Sequence, residues 1–200
     1  MTEIGDIVRG PDIEQALLDT LRDFLPVYLA ERATRRNLPA STYQVASYAR
    51  AATIDTRFPN EYLPCVAARC ISKANQGVEG GSGEVPAAFT VLVGVLLKDQ
   101  QRDKASDIVW DYLAAIEAVL GQHGALGGVA VATLPGDSQP EDVPVEERRT
   151  LAGGTLEVQV IVEAAYNAYL GPTEPPGDPY EPLPDDPQVQ DVDISFTRAD

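Results

Sequence analysis

The sequence predicts a chain of mixed helices and strands, and three observations carry that prediction. Apolar residues recur at helical spacing over residues 12–36 and again from Ala105 to Leu120. The run from Ala87 to Leu97 is apolar on both strand faces, as expected of a central strand covered on two sides, by helices or by a partner subunit. Thr155–Leu170 alternates strictly: Leu156, Val158, Val160, Val162, Ala164 and Tyr166 share one face, and Glu157, Gln159, Glu163 and Asn167 the other. That is the pattern of an antiparallel strand with one wet face.

Taken in chain order, the first helix begins at Asp12, which can serve as N-cap with Gln15 three residues on, as in a capping box. Ile13, Leu17, Leu21, Phe24, Leu25 and Tyr28 form its stripe. Pro26 removes one helical hydrogen bond and crowds the preceding turn, which predicts a kink or a restart. Residues 37–60 mix loop with a short strand. Tyr62–Lys73 reads as a strand whose start tolerates Pro64 only at an edge or a bulge, and the Gly-rich stretch 76–84 reads as a loop. Asp103 caps the second helix, whose apolar face is Ala105, Ile108, Val109, Tyr112, Leu113, Ile116, Val119 and Leu120; Gly121 or Gly124 ends it. Val129–Leu134 is a short strand and Pro135–Asp142 a turn. Residues 135–154 form a connection longer than an ordinary hairpin needs, of the kind that carries contacts.

Two hundred residues, 44% of them hydrophobic, suffice for one domain with a buried core, or for a domain plus an arm. Composition changes at Gly171: residues 171–187 hold seven prolines, and 171–200 hold eight acidic residues against Arg198 alone. The chain is therefore divided into a domain over 1–170 and an extended acidic Pro-rich C-terminal arm over 171–200. The arm ends on Val192-Asp193-Ile194-Ser195-Phe196-Thr197, where alternation returns. This end is either a disordered tail or a strand that adds to a neighbouring subunit.

With 15 Lys+Arg against 31 Asp+Glu, the net charge is −16. This argues against a general nucleic-acid binder, because neutralising phosphates needs clustered cations, and only Arg35-Arg36 and Arg148-Arg149 pair basic residues. No stretch approaches the ~18 apolar residues of a membrane span. Met1–Asp6 lacks a basic region followed by an apolar run, so the expectation is a soluble, unexported protein.

Two cysteines and one histidine leave little catalytic chemistry. Cys65 and Cys70, five apart in one predicted strand, face opposite sides of it and are expected as free, buried thiols. His123 lies just past the second helix, where a C-terminal cap contact is its expected role. Without a second histidine no Cys/His metal spacing assembles, and no catalytic, cofactor-binding or metal residue is assigned. Gly80-Gly81-Ser82-Gly83 and Gly127-Gly128 lack the Gly-Lys-Ser/Thr of a phosphate loop. Asp99, Asp103, Asp107 and Asp111 fall at spacings of four on the face opposite the apolar stripe, which reads as solvated surface. Trp110 lies roughly 120° from the centre of that stripe at about 100° per residue. It is either a wrapped rim residue or the anchor of a subunit contact.

The order helix, strands, helix, strands, with Arg57-Phe58-Pro59-Asn60-Glu61-Tyr62-Leu63-Pro64 before the first strand, resembles the tail terminator proteins of long-tailed phages, particularly those infecting actinobacteria. Gly124-Ala125-Leu126-Gly127-Gly128 is similar to that family's Gly-x-Leu-Gly-Gly turn, and Glu147-Arg148-Arg149-Thr150-Leu151-Ala152 to its lead-in to the last long strand. The resemblance spans roughly residues 12–170, and the acidic arm departs from it.

This resemblance implies an α+β fold, an antiparallel β-sheet packed by two main α-helices. It also implies a homo-oligomeric ring, usually hexameric, that caps the completed tail tube, ends its polymerisation and offers its other face to the head connector. The implied protein is no enzyme and needs no cofactor. It resides in the virion at the tail–neck junction, with the tail tube protein and the head–tail connector or head-closure protein as partners. It contacts no membrane, and DNA passes through its lumen without specific binding. An acidic lumen would repel passing DNA rather than retain it. Two other readings stand beside this one: a head-closure or head–tail completion protein, also small and ring-forming, and a cytoplasmic enzyme whose carboxylate site assembles across a subunit interface. The interface candidates are Arg57, Phe58, Trp110, Arg148 and Arg149, with Val192, Ile194 and Phe196 in the arm. The ordinary alternatives are a core position for Phe58 and solvated or intrachain-paired arginines.

Overall fold

In the computed structural model, which describes residues 7–50, 62–77, 83–97, 102–145 and 149–168, helix α1 spans Gly10–Arg35. It starts two residues before the predicted position because Pro11 suits a first turn, where its missing N–H has no helical partner to lose. Arg9 holds the N-cap position, and the Asp12 carboxylate accepts the Arg9 backbone N–H at 2.9 Å. Asp12 is thus the returning arm of the capping box and not its cap. The predicted restart at Pro26 is absent, and α1 is unbroken through it. The proline ring is exposed, and the Arg22 carbonyl deprived of a partner lies on the same wet side. Leu21, Leu25, Leu29 and Ala33 meanwhile hold the opposite side in the core.

A 3₁₀ turn over Ala40–Tyr43 and strand β1, Ser47–Arg50, follow, giving the mixture of loop and short strand expected there. Strands β2 (Cys65–Asn75) and β3 (Glu84–Leu96) precede helix α2 (Arg102–Gln122). A second 3₁₀ turn over Leu126–Gly128 leads into β4 (Ala132–Val145) and β5 (Arg149–Asn167). The strands form one sheet in the order β1-β2-β3-β5-β4, with β1 parallel to β2 and every other pair antiparallel. Two helices packed on a mostly antiparallel sheet make the α+β fold that was expected.

Strand β3 is central, and its Phe89, Val91, Val93 and Val95 enter one core with α1 and α2. Its other face is only partly covered, since Thr90 and Leu92 keep some exposure. From α2 the core takes Val109, Tyr112, Leu113, Ile116 and Leu120, and from β5 Leu156, Val158 and Val160. Gly154 lets helix and strand meet closely: a Cβ there would lie 2.6 Å from Val109 Cγ1 and 3.0 Å from Leu113 Cδ1.

Several expectations are corrected. Pro135–Asp142 is no turn: β4 runs through it, shifted in register by a bulge between Pro135 and Ser138. Residues 135–145 and 149–154 are accordingly paired as the outer half of β4 and β5, as far as Val145 with Arg149, and the expected long loop is absent among the described residues. Proline is tolerated there because β4 is an edge strand. The alternation of β5 slips where Val85 and Ala87 of β3 face Tyr166 and Val162, so Ala165 is buried in place of Ala164. Asp103 falls inside α2, one residue after its start, and the helix passes through Gly121 to Gln122.

Both cysteines are free as expected, but Cys70 is half-buried, packed beside Gly10 of α1, while Cys65 is buried. Burial pushes both thiols up from their ordinary value, and the Glu14 carboxylate pushes Cys70 further. Glu14 also accepts the Cys70 backbone N–H at 2.8 Å and the Arg50 Nε at 2.9 Å, which pins α1 to the bulge of β2.

The Gly124–Gly128 segment connects α2 to β4. Leu126, Gly127 and Gly128 have φ of 47°, 68° and 95°, so three successive residues turn left-handed while the Leu126 side chain stays in the core. The Thr133 hydroxyl donates to the Gly124 carbonyl at 2.6 Å and fastens the turn to the start of β4.

Candidate interface on the helix pair

Helices α1 and α2 run antiparallel, tied at both ends. At one end lies Asp111, which is only 1% exposed although its spacing predicted solvated surface. The end of α1 and the first 3₁₀ turn cover it. Arg36 Nε stands 3.0 Å and Arg32 Nη2 3.6 Å from its carboxylate, and the Tyr43 hydroxyl donates to it at 2.5 Å. Asp107, one turn earlier, is exposed as predicted and lies 3.6 Å from Arg36 Nη1. Asp99 and the side chain of Asp103 lie outside the described residues. Sequence reading missed this cluster. Its signal was Arg32 and Arg36 at i, i+4 on one helix against Asp107 and Asp111 at i, i+4 on the other.

Three phenols gather behind Asp111. Burial, followed by the hydrogen bond to Asp111, pushes Tyr43 up to about 12. Burial alone pushes Tyr48 up to about 12 against the lowering effect of Arg22, and burial beside Tyr48 and Tyr43 pushes Tyr112 up as well. The buried Tyr48 and Tyr112 hydroxyls have no hydrogen-bond partner among the described residues. All three phenols stay protonated at neutral pH, and their packing fastens the first 3₁₀ turn, β1 and α2 together.

At the other end, the Phe24 and His123 rings stack at 3.7 Å and 9°, and the Tyr28 hydroxyl donates to Gln122 Oε1. The His123 backbone N–H continues the helical ladder to the Val119 carbonyl at 2.8 Å, and its ring packs on Phe24 in place of the cap contact expected of it.

Between these ties, the solvent side of the pair holds a groove of about 300 Å³. Tyr28, Glu31, Arg32 and Arg35 of α1 line it, with Ala114, Ala115 and Ala118 of α2. Three alanines keep its α2 wall low. Trp110 lies one turn before Ala114 on the same stripe of α2 and is 44% exposed, while Val27 on α1 is 67% exposed. Phe24 is also exposed, so the helix pair carries a row of apolar side chains to water.

Of the predicted interface residues, the structure thus places Trp110 on an open surface beside a groove. Arg57, Phe58, Arg148, Val192, Ile194 and Phe196 lie outside the described residues, as does the side chain of Arg149, whose backbone pairs with Val145. Among the described residues no group of His, Cys, Asp or Glu could hold a metal ion, and no helix is long and apolar enough to cross a membrane. No family model and no curated protein matches the chain.

Proposed function

We propose that this chain is a structural subunit of a long-tailed phage virion, forming a ring of six copies that caps the tail tube, ends its polymerisation and joins it to the head connector. The observation that carries the reading is the order of elements: α1, then β1–β3, then α2, then β4–β5. This is the helix, strands, helix, strands order of the resemblance, and the Gly124–Gly128 segment forms a tight connection where a turn was implied. Because one fold hosts many functions, the surface adds its own weight. An exposed tryptophan beside a groove with an alanine wall and a charged wall is the equipment of a contact protein. In this reading the chain is no enzyme, resides at the tail–neck junction, meets the tail tube protein and the head–tail connector, and lets DNA pass through the ring unbound.

The test is electron microscopy of particles from a phage lacking this gene, with tail length as the readout. Overlong tails without heads are the expected result. Normal-length tails detached from filled heads would overturn termination in favour of a head-closure role. Intact virions would overturn any structural role.

A further inference from the structure

We propose that the open face of the sheet is self-complementary, and that a second copy of the chain closes it, face to face, about a two-fold axis parallel to β3. The inference uses the side of the molecule away from the helix pair and does not rest on the ring reading.

Helices α1 and α2 both pack on the side of the sheet that carries Phe89, Val91, Val93 and Val95. On the opposite side the strand register fixes rows of side chains that run from β2 across β3 to β5. One row is Arg69, Leu92 and Glu157, and the next is Ser72, Thr90 and Gln159. Leu92 and Thr90 keep part of their surface in water. Leu134 of β4, the neighbour of Gln159, is 50% exposed. Arg69 and Glu157 are exposed at the two ends of the first row, one strand to either side of Leu92, and neither forms an ion pair with a described residue. A cation and an anion therefore stand at the same level on opposite sides of the central strand.

This arrangement is what a two-fold axis along β3 requires. Such an axis leaves every level in place and exchanges β2 with β5. It sets Arg69 of each copy over Glu157 of the other, Ser72 over Gln159, and Leu92 on Leu92 between the two charge pairs. An axis across the strands would instead set Arg69 on Arg69 and Glu157 on Glu157, and like charges that meet directly are destabilising. Sheets packed face to face lie ~10 Å apart with strand directions within about 30°, a gap that an arginine and a glutamate reaching from opposite sides can close. The net charge of −16 opposes indiscriminate self-association, so a contact between copies has to bring opposite charges together, as this one does.

Sedimentation of the full chain as a function of concentration reads the association. The parent is expected to pass from one copy to two. Arg69→Glu and Glu157→Arg should each raise the dissociation constant at least ~tenfold. The first substitution makes the chain more negative and the second less so, and an effect of overall charge alone would move the two in opposite directions. Mixing the two variants sets arginine against glutamate again on both sides of the axis, and should return the dissociation constant to within about threefold of the parent. The exchange Arg69→Glu/Glu157→Arg within one chain should do the same.

A parent chain that is still single at ~100 μM would overturn the proposal. So would a larger assembly that both reversals leave untouched. Loss of association in both variants with no recovery on mixing would overturn it as well, because pairing between copies demands that recovery and damage to the fold does not produce it.

Discussion

Asp111 shows how far one side chain's role depends on what a distant segment places over it. Its carboxylate is almost fully buried and holds Arg36, Arg32 and the Tyr43 hydroxyl together. Asp111→Ala leaves Arg32 and the Tyr43 hydroxyl without their acceptor and Arg36 with the exposed Asp107 alone. Removing one member of a buried ion pair costs ~3–5 kcal/mol, and both arginines here are 40% exposed and can turn to water, so about 3 kcal/mol is expected. Asp107→Ala, at an exposed site one turn away, should stay within about 0.5 kcal/mol of the parent. Urea denaturation of the two variants measures the difference, and equal midpoints would mean that the buried cluster contributes nothing. The sequence displayed both aspartates at the same spacing. Only the packing of α1 and the Ala40–Tyr43 turn across α2 separates them, and a helical stripe carries no information about that.

Among whole elements, the helices were the most legible, because a 3.6-residue apolar period survives errors at the ends. Arg9 and Pro11 moved the start of α1 by two residues without disturbing the stripe of Leu17, Leu21 and Leu25. Only the start of strand β4 was legible, within the predicted strand Val129–Leu134, and the rest was hidden for a physical reason: Pro135, Gly136, Asp137 and Pro140 are turn residues by local preference, and an edge strand tolerates them because one side of its backbone needs no ladder. The packing of α2 on β5 was equally hidden, since nothing in the alternation of Thr155–Leu170 marks Gly154 as a contact point. Gly154→Ala inserts a methyl group against Val109 and Leu113 and should cost about 1–3 kcal/mol as the helix is pushed away. Gly121→Ala, with open space around the added carbon in a helical turn, should instead be neutral or stabilise by up to ~1 kcal/mol. Thermal melts of the pair test whether close helix–strand contact, and not glycine as such, sets the sign.

For the molecule as a whole, fold class was legible, and of the candidate interface Trp110 was the part that could be read from helical phase alone. The groove beside it depends on which helix faces α2, and that is a tertiary fact. The same tertiary meeting brings together Tyr43, Tyr48 and Tyr112 from the 3₁₀ turn, β1 and α2, so their ionisation is coupled to the stability of the entire domain. In the unfolded chain a tyrosine ionises near pH ~10. In the folded protein Tyr43 and Tyr48 are held up to about 12, and Tyr112 is raised too. Between these values the unfolded chain binds fewer protons than the native one. The stabilisation is therefore complete below about pH 10 and is lost progressively as pH rises towards about 12. The raised thiols of Cys65 and Cys70 add to the same trend from a lower pH. Melting temperature should accordingly fall from about pH 10 upward on account of the phenols, with the thiols beginning the decline earlier. Tyr43→Phe removes one of the ionising groups while keeping most of the packing, so its melting temperature should start lower, for want of the Asp111 hydrogen bond, and fall less steeply. Parallel slopes for parent and variant would show that Tyr43 ionises alike in both states, contrary to the raised value that its burial and its bond to Asp111 imply.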